Sequence, residues 1–201
     1  VEVFTREELR GHPALLAPLL LGALIGCGET VLRIVEVEAY GAHDDPASHA
    51  HRGRTVRNRA MFADVGCLYA YRSYGVHTCI NVVIHDEGYP GAVLLRAGEP
   101  ISGLAAMRAR RERGRSRSNA VATVHLARGP GNLGKALGVS TAMDGCDLLD
   151  GSEGPWLARD SELASAYRTS SRIGISVGKE LPWRFYLPGP SVSGPAGLRG
   201  L

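Results

Sequence analysis

A chain of 201 residues, 44% hydrophobic and 21% charged, is long enough to bury a core of its own. It contains nothing close to the roughly 20 uninterrupted apolar residues of a membrane-spanning helix. The apolar run from Leu15 to Ile25 is short, is interrupted by Pro18, and lacks the charged, apolar, small-residue order of a signal peptide. Net charge is only +3, but it is unevenly spread: Arg52, Arg54, Arg57 and Arg59 form one cluster without acids, and Arg108, Arg110, Arg111, Arg113, Arg115 and Arg117 form a second, diluted by Glu112. Such runs suit phosphate binding through the planar guanidinium fork, or equally a solvated basic surface. The four cysteines, Cys27, Cys67, Cys79 and Cys146, are scattered without a CxxC pair. That spacing argues against a zinc knuckle and fits reduced thiols in a reducing cytoplasm.

In chain order, Thr5 and Glu8 form a capping-box pattern that predicts a helix as far as about Leu20, broken by Pro13 and Pro18. Gly26-Cys27-Gly28 reads as a turn. Thr30 to Tyr40 alternates as a strand, with Val35, Val37 and Ala39 on one face and Glu36, Glu38 and Tyr40 on the other. A polar loop from Gly41 to Asn58 follows. Cys67 to Arg72 and Val76 to Ile84 predict a hairpin joined at Ser73-Tyr74-Gly75, and Ala92 to Arg96 a further short strand. Gly103 to Arg113 predicts a helix capped by Ser102, Arg115 to Asn119 a connector, and Gly129 to Leu137 a short helix. From Pro188 the chain reads as irregular. Strands and helices mixed in this order predict one α+β domain over residues 1–201, with a largely antiparallel sheet and an irregular tail at 188–201.

Chemistry concentrates on two segments. Strand alternation places Glu38 and Tyr40 on one face, about 7 Å apart, where a carboxylate could activate water beside an aromatic plate. The same pair also suits a solvated edge strand. Tyr69 and Tyr71 share a hairpin face, and Tyr69 reads as a packing residue. Tyr74 sits at the tip, where an exposed ring lacks a packing partner; a gap in a base stack is one place it could go. Asn81 interrupts an apolar strand and needs a polar partner. Arg96 could orient Glu38 or a phosphate, or simply pair with an acid such as Glu99.

Two other patterns compete. Gly129-Pro130-Gly131-Asn132-Leu133-Gly134-Lys135-Ala136 resembles a phosphate-binding loop and satisfies GxGxxG. However, Ala136 lacks the hydroxyl that would hold magnesium, and His125 and Arg128 spoil the buried strand a dinucleotide fold needs. The cluster His43, Asp44, Asp45, His49 and His51 has metal-ligand residue types but no familiar metal-site spacing.

The blocks Ile34 to Tyr40, Asp45 to His49, Gly53-Arg54-Thr55, Arg57 to Phe62, Leu68 to Tyr71, Tyr74-Gly75, Asn81-Val82, Leu94 to Ala97 with Glu99-Pro100, Gly129-Pro130, Ala136 to Gly138, Arg172 to Ile175 and Arg184 to Tyr186 run in order over nearly the whole chain. In that order the sequence resembles the alkyladenine (3-methyladenine) DNA glycosylases of the mammalian type. The resemblance implies a compact domain on a curved antiparallel sheet with a protruding β-hairpin and surrounding helices. It also implies a reaction without metal or organic cofactor. By the same resemblance Glu38 activates the attacking water and Arg96 positions it. The flipped base stacks between Tyr40 on one side and His49 and Tyr71 on the other, Asn81 crowds the exocyclic amino group of guanine, and Tyr74 fills the gap in the duplex. Candidate phosphate contacts are Arg54, Thr55, Arg57, Arg72 and His77.

The implied partner is duplex DNA carrying alkylated or deaminated purines, bound by a monomer with no membrane contact. The implied location is the nucleoid-bearing cytoplasm of a bacterium or the nucleus of a eukaryote. Lys135 and Lys179 are the only lysines and lie far in sequence from the proposed site, which predicts a hydrolase without the Schiff-base chemistry of a lyase. Three departures from the family pattern stand out. Gly98 replaces a larger residue and predicts looser packing beside Arg96, Asn132 stands where a lysine is usual, and the segment 151–171 matches little. Two rival readings remain: a non-catalytic sensor of damaged DNA, in which Glu38 would be dispensable, and a nucleotide-binding enzyme at residues 129–135.

Overall fold

The computed structural model describes residues 2–113, 120–151, 154–160 and 166–194. Its elements in chain order are β1 (Glu2–Val3), α1 (Pro13–Leu16), β2 (Leu24–Cys27), β3 (Thr30–Tyr40), β4 (Leu68–Ser73), β5 (His77–Val83), β6 (Ala92–Ser102), α2 (Leu104–Glu112), α3 (Pro130–Leu137), β7 (Pro155–Arg159), β8 (Arg168–Ser170) and β9 (Arg184–Tyr186). The expected Arg115–Asn119 connector lies outside the described residues.

The capping box closes as expected: a Glu8 carboxylate oxygen accepts the Thr5 N–H at 2.8 Å and the Thr5 hydroxyl at 2.9 Å. The helix it opens does not run on. It breaks into a 3-10 turn at Glu7–Leu9, the single turn of α1, and a second 3-10 turn at Ala17–Leu20. Pro13 and Pro18 head the last two pieces, where a missing N–H costs nothing.

The strands form one nine-stranded antiparallel sheet in the order β1-β7-β2-β3-β6-β5-β4, with β9 beside β3 and β8 beyond it. Its spine is the pair of 11-residue strands β3 and β6. Their register slips between Ile34 and Glu36 and again between Glu36 and Val37. Bulges of this kind bend a strand and increase its twist, which curls the sheet at the point where the acidic residues begin. Ile34, Val37, Val93, Leu95, Ile80 and Val82 pack into one buried cluster with Met107, Leu133 and Leu137 from α2 and α3. Burying each of these larger side chains contributes roughly 1.5–3 kcal/mol.

Several expectations are corrected by packing. Gly26 lies within β2 rather than in a turn, because the Trp156 indole lies where a Cβ would stand, at 2.2 Å. The turn comes two residues later, at Gly28 and Glu29. Gly103, at φ 73°, caps α2, while the Ser102 hydroxyl donates to the Glu29 carbonyl at 3.0 Å instead. The packing at Gly98 is tight, not loose: a Cβ there would meet Leu32 Cβ at 3.0 Å and the Arg33 carbonyl at 3.2 Å. Strand β6 runs on to Ser102 rather than ending at Arg96.

The glycine-rich segment also finds a structural explanation. Gly134 sits on β5 so closely that a Cβ would lie 2.2 Å from the Thr78 carbonyl oxygen, and Gly131 meets the His77 ring. A 3-10 turn at Thr123–His125, not a buried strand, comes before α3. These glycines let a helix approach a strand.

Candidate active site

From the bulged stretch onward, β3 carries Glu36, Glu38 and Tyr40 at alternate positions to Val37 and Ala39. Glu38 is fully buried, and it is held from three sides. One carboxylate oxygen accepts the Ile173 N–H at 2.7 Å. The other accepts the Tyr40 hydroxyl at 2.9 Å and an Arg96 N–H at 3.1 Å. Arg96 reaches it from β6, where Leu94 pairs directly with Glu38. Burial works against the Arg96 charge, but Glu38 and Glu36 outweigh it and raise its pKa. Arg96 therefore stays cationic.

Above these groups opens a cavity of about 490 Å³, lined by Tyr40, His49, Tyr71, Asn81, Arg96 and the segment from Ile173 to Val177. That size suits a small planar ligand. Its aromatic wall is built in layers. His49 meets Tyr71 edge-on with ring centroids 4.6 Å apart, and Tyr71 stacks on Tyr69 at 5.3 Å. Tyr69, read as a packing residue, is indeed buried, and its hydroxyl lies 2.8 Å from His49 Nδ1. Burial, then the charge of Arg57, lowers the His49 pKa, so the ring is neutral near pH 7. Burial likewise raises the pKa of Tyr40 and Tyr71, with the Glu38 charge adding to the effect on Tyr40. The cavity is thus walled by neutral, electron-rich rings. Asn81 is buried opposite Tyr69 in the hairpin register and donates to its carbonyl at 2.9 Å, which fixes the amide at the cavity wall.

Tyr40 has a support that residue-level reading of the sequence missed. The Arg172 guanidinium lies 4.7 Å from its ring centroid and 5.2 Å from that of Trp183. It forms a bidentate pair with Asp45 at 2.6 and 2.8 Å. Asp45 also accepts the N–H groups of Gly41 at 3.0 Å and Ala47 at 3.1 Å. The cluster of metal-type residues is therefore dispersed: Asp45 belongs to Arg172, Asp44 accepts the Tyr89 hydroxyl, and His49 belongs to Tyr69. Among the described residues no three His, Cys, Asp or Glu side chains gather to hold a metal ion. Glu36 and Arg184 form a second missed layer, since a charge facing away from solvent in a strand gives no hint of its distant partner.

The hairpin tip stands at the other extreme. Tyr74 is 90% exposed and has φ 50°, a left-handed conformation that non-glycine residues rarely adopt. Arg72 donates to the Gly75 carbonyl at 3.1 Å, and Arg57 donates to the Arg72 carbonyl at 3.2 Å while lying 5.6 Å from the Tyr71 ring. Of the first arginine cluster, Arg57 thus reaches the hairpin. Arg54, Thr55 and His77 are exposed, and Thr55 is tied into its turn by Asn58. The described members of the second cluster are divided between the interior and the surface. Arg110 caps the end of α3 through the Ala136 and Leu137 carbonyls at 2.9 and 3.1 Å, Arg111 is buried, and Arg108 bonds Thr123. Arg115 and Arg117 lie outside the described residues. Neither lysine lines the cavity.

Residues 7–191 match the family model of methylpurine-DNA glycosylase. The chain belongs to this family. It is a DNA glycosylase, a hydrolase of N-glycosyl bonds. A relative from Nocardia farcinica, named "Putative 3-methyladenine DNA glycosylase", is 45% identical over 198 residues, covering 95% of this chain and 91% of its own. Relatives with the same name from Rhodococcus jostii and Cutibacterium acnes are each 44% identical, covering 94% and 89% of this chain and 84% and 93% of theirs. Among the described residues no helix is long and apolar enough to cross a membrane.

Proposed function

We propose that this glycosylase acts as a monomer on duplex DNA, flips alkylated purines such as 3-methyladenine and 7-methylguanine into the cavity, and hydrolyses their bond to the sugar with a water activated by Glu38. Hypoxanthine and ethenoadenine are candidate further substrates. The observation that carries the reading is a fully buried carboxylate, fixed by Arg96, Tyr40 and the Ile173 amide, beneath a cavity walled by neutral aromatic rings.

In this reading the tyrosine faces attract a base that alkylation has made cationic. Glu38 takes a proton as the water oxygen bonds to the sugar carbon, and the bonding pair of the N-glycosidic bond leaves with the base. An alkylated base departs neutral and needs no acid. Hypoxanthine needs a proton, which solvent water would supply. The negative charge of Glu38 also stabilises the positive charge that builds on the sugar. Tyr74 occupies the space the base vacates, while Arg54, Thr55, Arg57, Arg72 and His77 contact the backbone. The absence of lysine from the cavity wall supports base release without strand cleavage. The bacterial relatives suggest action in the cytoplasm, at the nucleoid.

The test is single-turnover excision from duplexes carrying 7-methylguanine, hypoxanthine or ethenoadenine by the wild type and Glu38→Gln. Base release by the wild type alone, with an abasic strand left intact, is the expected result. Tight lesion binding without release by folded wild type would replace it with the reading of a damage sensor. A borohydride-trapped protein–DNA adduct would overturn the monofunctional assignment.

A further inference from the structure

The carboxylate one pleat below Glu38 on β3 is also fully buried, and the mechanism above leaves it without a task. One Glu36 oxygen accepts Arg96 Nε–H at 2.9 Å and Arg184 Nε–H at 2.8 Å, and the other accepts the Ser193 N–H at 2.6 Å. Arg184 is itself buried, lies 4.3 Å from the Tyr186 ring centroid and donates to the Ser193 carbonyl at 2.5 Å and the Ser170 hydroxyl at 2.8 Å. Arg96 spends its remaining terminal nitrogen on the Ser193 hydroxyl at 3.3 Å. Its fork is thus divided three ways: Nε to Glu36, one terminal nitrogen to Glu38 and the other to Ser193.

An arginine facing a single buried carboxylate adopts a bidentate clamp, which satisfies two acceptor positions and neutralises the acid most strongly. Here that clamp is prevented. Glu38 receives one Arg96 N–H on one oxygen, and the other oxygen keeps an acceptor position beside its single bond from Ile173. We infer that Glu36 is a positioning residue for base excision: by holding Arg96 through Nε it limits the arginine to one bond with Glu38 and leaves that carboxylate free to take a proton from water. The inference rests on Glu38 being the base.

Neither Glu36 nor Glu38 is among the residues that line the cavity, and Glu36 reaches it only through Arg96, which does line it. Removal of Glu36 should therefore slow the chemical step and leave lesion binding alone. Glu36→Gln is expected to lower the single-turnover rate by about 10- to 100-fold, with Kd for lesion duplex unchanged within about twofold. Glu36→Asp keeps the charge that two buried arginines require, so it folds even if the glutamine variant does not. Being one methylene shorter it cannot reach all three partners, and it should show a smaller loss of the same kind.

Arg96→Gln completes the cycle: with the arginine gone, adding either Glu36 change should cost less than about twofold more, because the two residues act as a unit. A wild-type rate in folded Glu36→Asp, losses that multiply with that of Arg96→Gln, or an equal weakening of lesion binding would overturn the inference. Failure of the wild type to release any base would instead overturn the function on which it rests, so the two failures are distinguishable.

Discussion

The bulged end of β3 and the tip of the β4–β5 hairpin present opposite solutions to one problem. At the first, Glu36, Glu38 and Arg96 are buried, and every one of their charges is met by a partner at hydrogen-bond distance. At the second, Tyr74 is exposed and held in a strained backbone conformation, with Arg57 and Arg72 bracing the strand beneath it. A group that must hold a water to a fraction of an ångström gains from a rigid, desolvated frame. A group that probes a duplex must stay outside the core. On the function proposed above, chemistry and DNA contact fall on separate elements, which predicts that each can be altered without the other.

The comparison is broken most directly at Glu38. Glu38→Gln should reduce the rate of excision by roughly 10²–10⁴-fold and leave lesion affinity intact, measured by single-turnover kinetics and fluorescence anisotropy on the same duplex. Parallel loss of both would mean that the interior site and the DNA surface are not separable. Asp45→Ala tests how far the interior depends on its frame. It strands the buried Arg172 behind Tyr40, and unfolding in urea should show a loss of roughly 3–5 kcal/mol, with excision failing through the fold. An unchanged midpoint would show that Arg172 finds another partner.

Tyr74→Ala should act the opposite way. We expect excision at limiting enzyme to fall about tenfold, an estimate in keeping with a few kcal/mol for unstacking a base, with a melting temperature close to that of the wild type, because alanine keeps the Cβ that the left-handed backbone strains and the lost ring is exposed. A lowered melting temperature would make the tip part of the core. The smallest effect belongs to Glu8, far from both regions. Hydrogen bonds from Thr5 and the neighbouring Arg159 hold its pKa down at about 2. A depressed folded-state value means that its stabilising contribution is present above the ordinary value of 4.5 and is lost as pH falls toward about 2. The melting difference between wild type and Glu8→Gln should therefore shrink across that window, and a constant difference would show that the carboxylate charge is not what matters.

Legibility in the sequence followed the range of the interactions. Strand β3 was readable from end to end because period-two alternation is local, and so was the hairpin, marked by Tyr74-Gly75 between two apolar runs. Its position on β6 made Arg96 a candidate, but the choice between Glu38 and Glu99 required the strand register. The short strands β7, β8 and β9 were not anticipated. Each gains its pairing from partners far away in the chain, as in the register of Glu36 with Tyr186. The partners of Glu36 and Arg172 went unread for the same reason: Arg184 and Asp45 lie 148 and 127 residues away from them.

By itself the sequence determined the α+β class, the strand carrying Glu38 and Tyr40, the hairpin with its tyrosine, and the family to which the chain belongs, because short-range periodicity and ordered motifs are written along the chain. Only the tertiary structure decided which arginine serves which carboxylate, that Arg57 meets the hairpin while Arg110 turns inward to cap a helix, and that the glycine-rich segment packs a helix closely on a strand. Buried charges and close backbone approaches are settled by what the folded chain brings together in space, where each must find a partner or room for its neighbour.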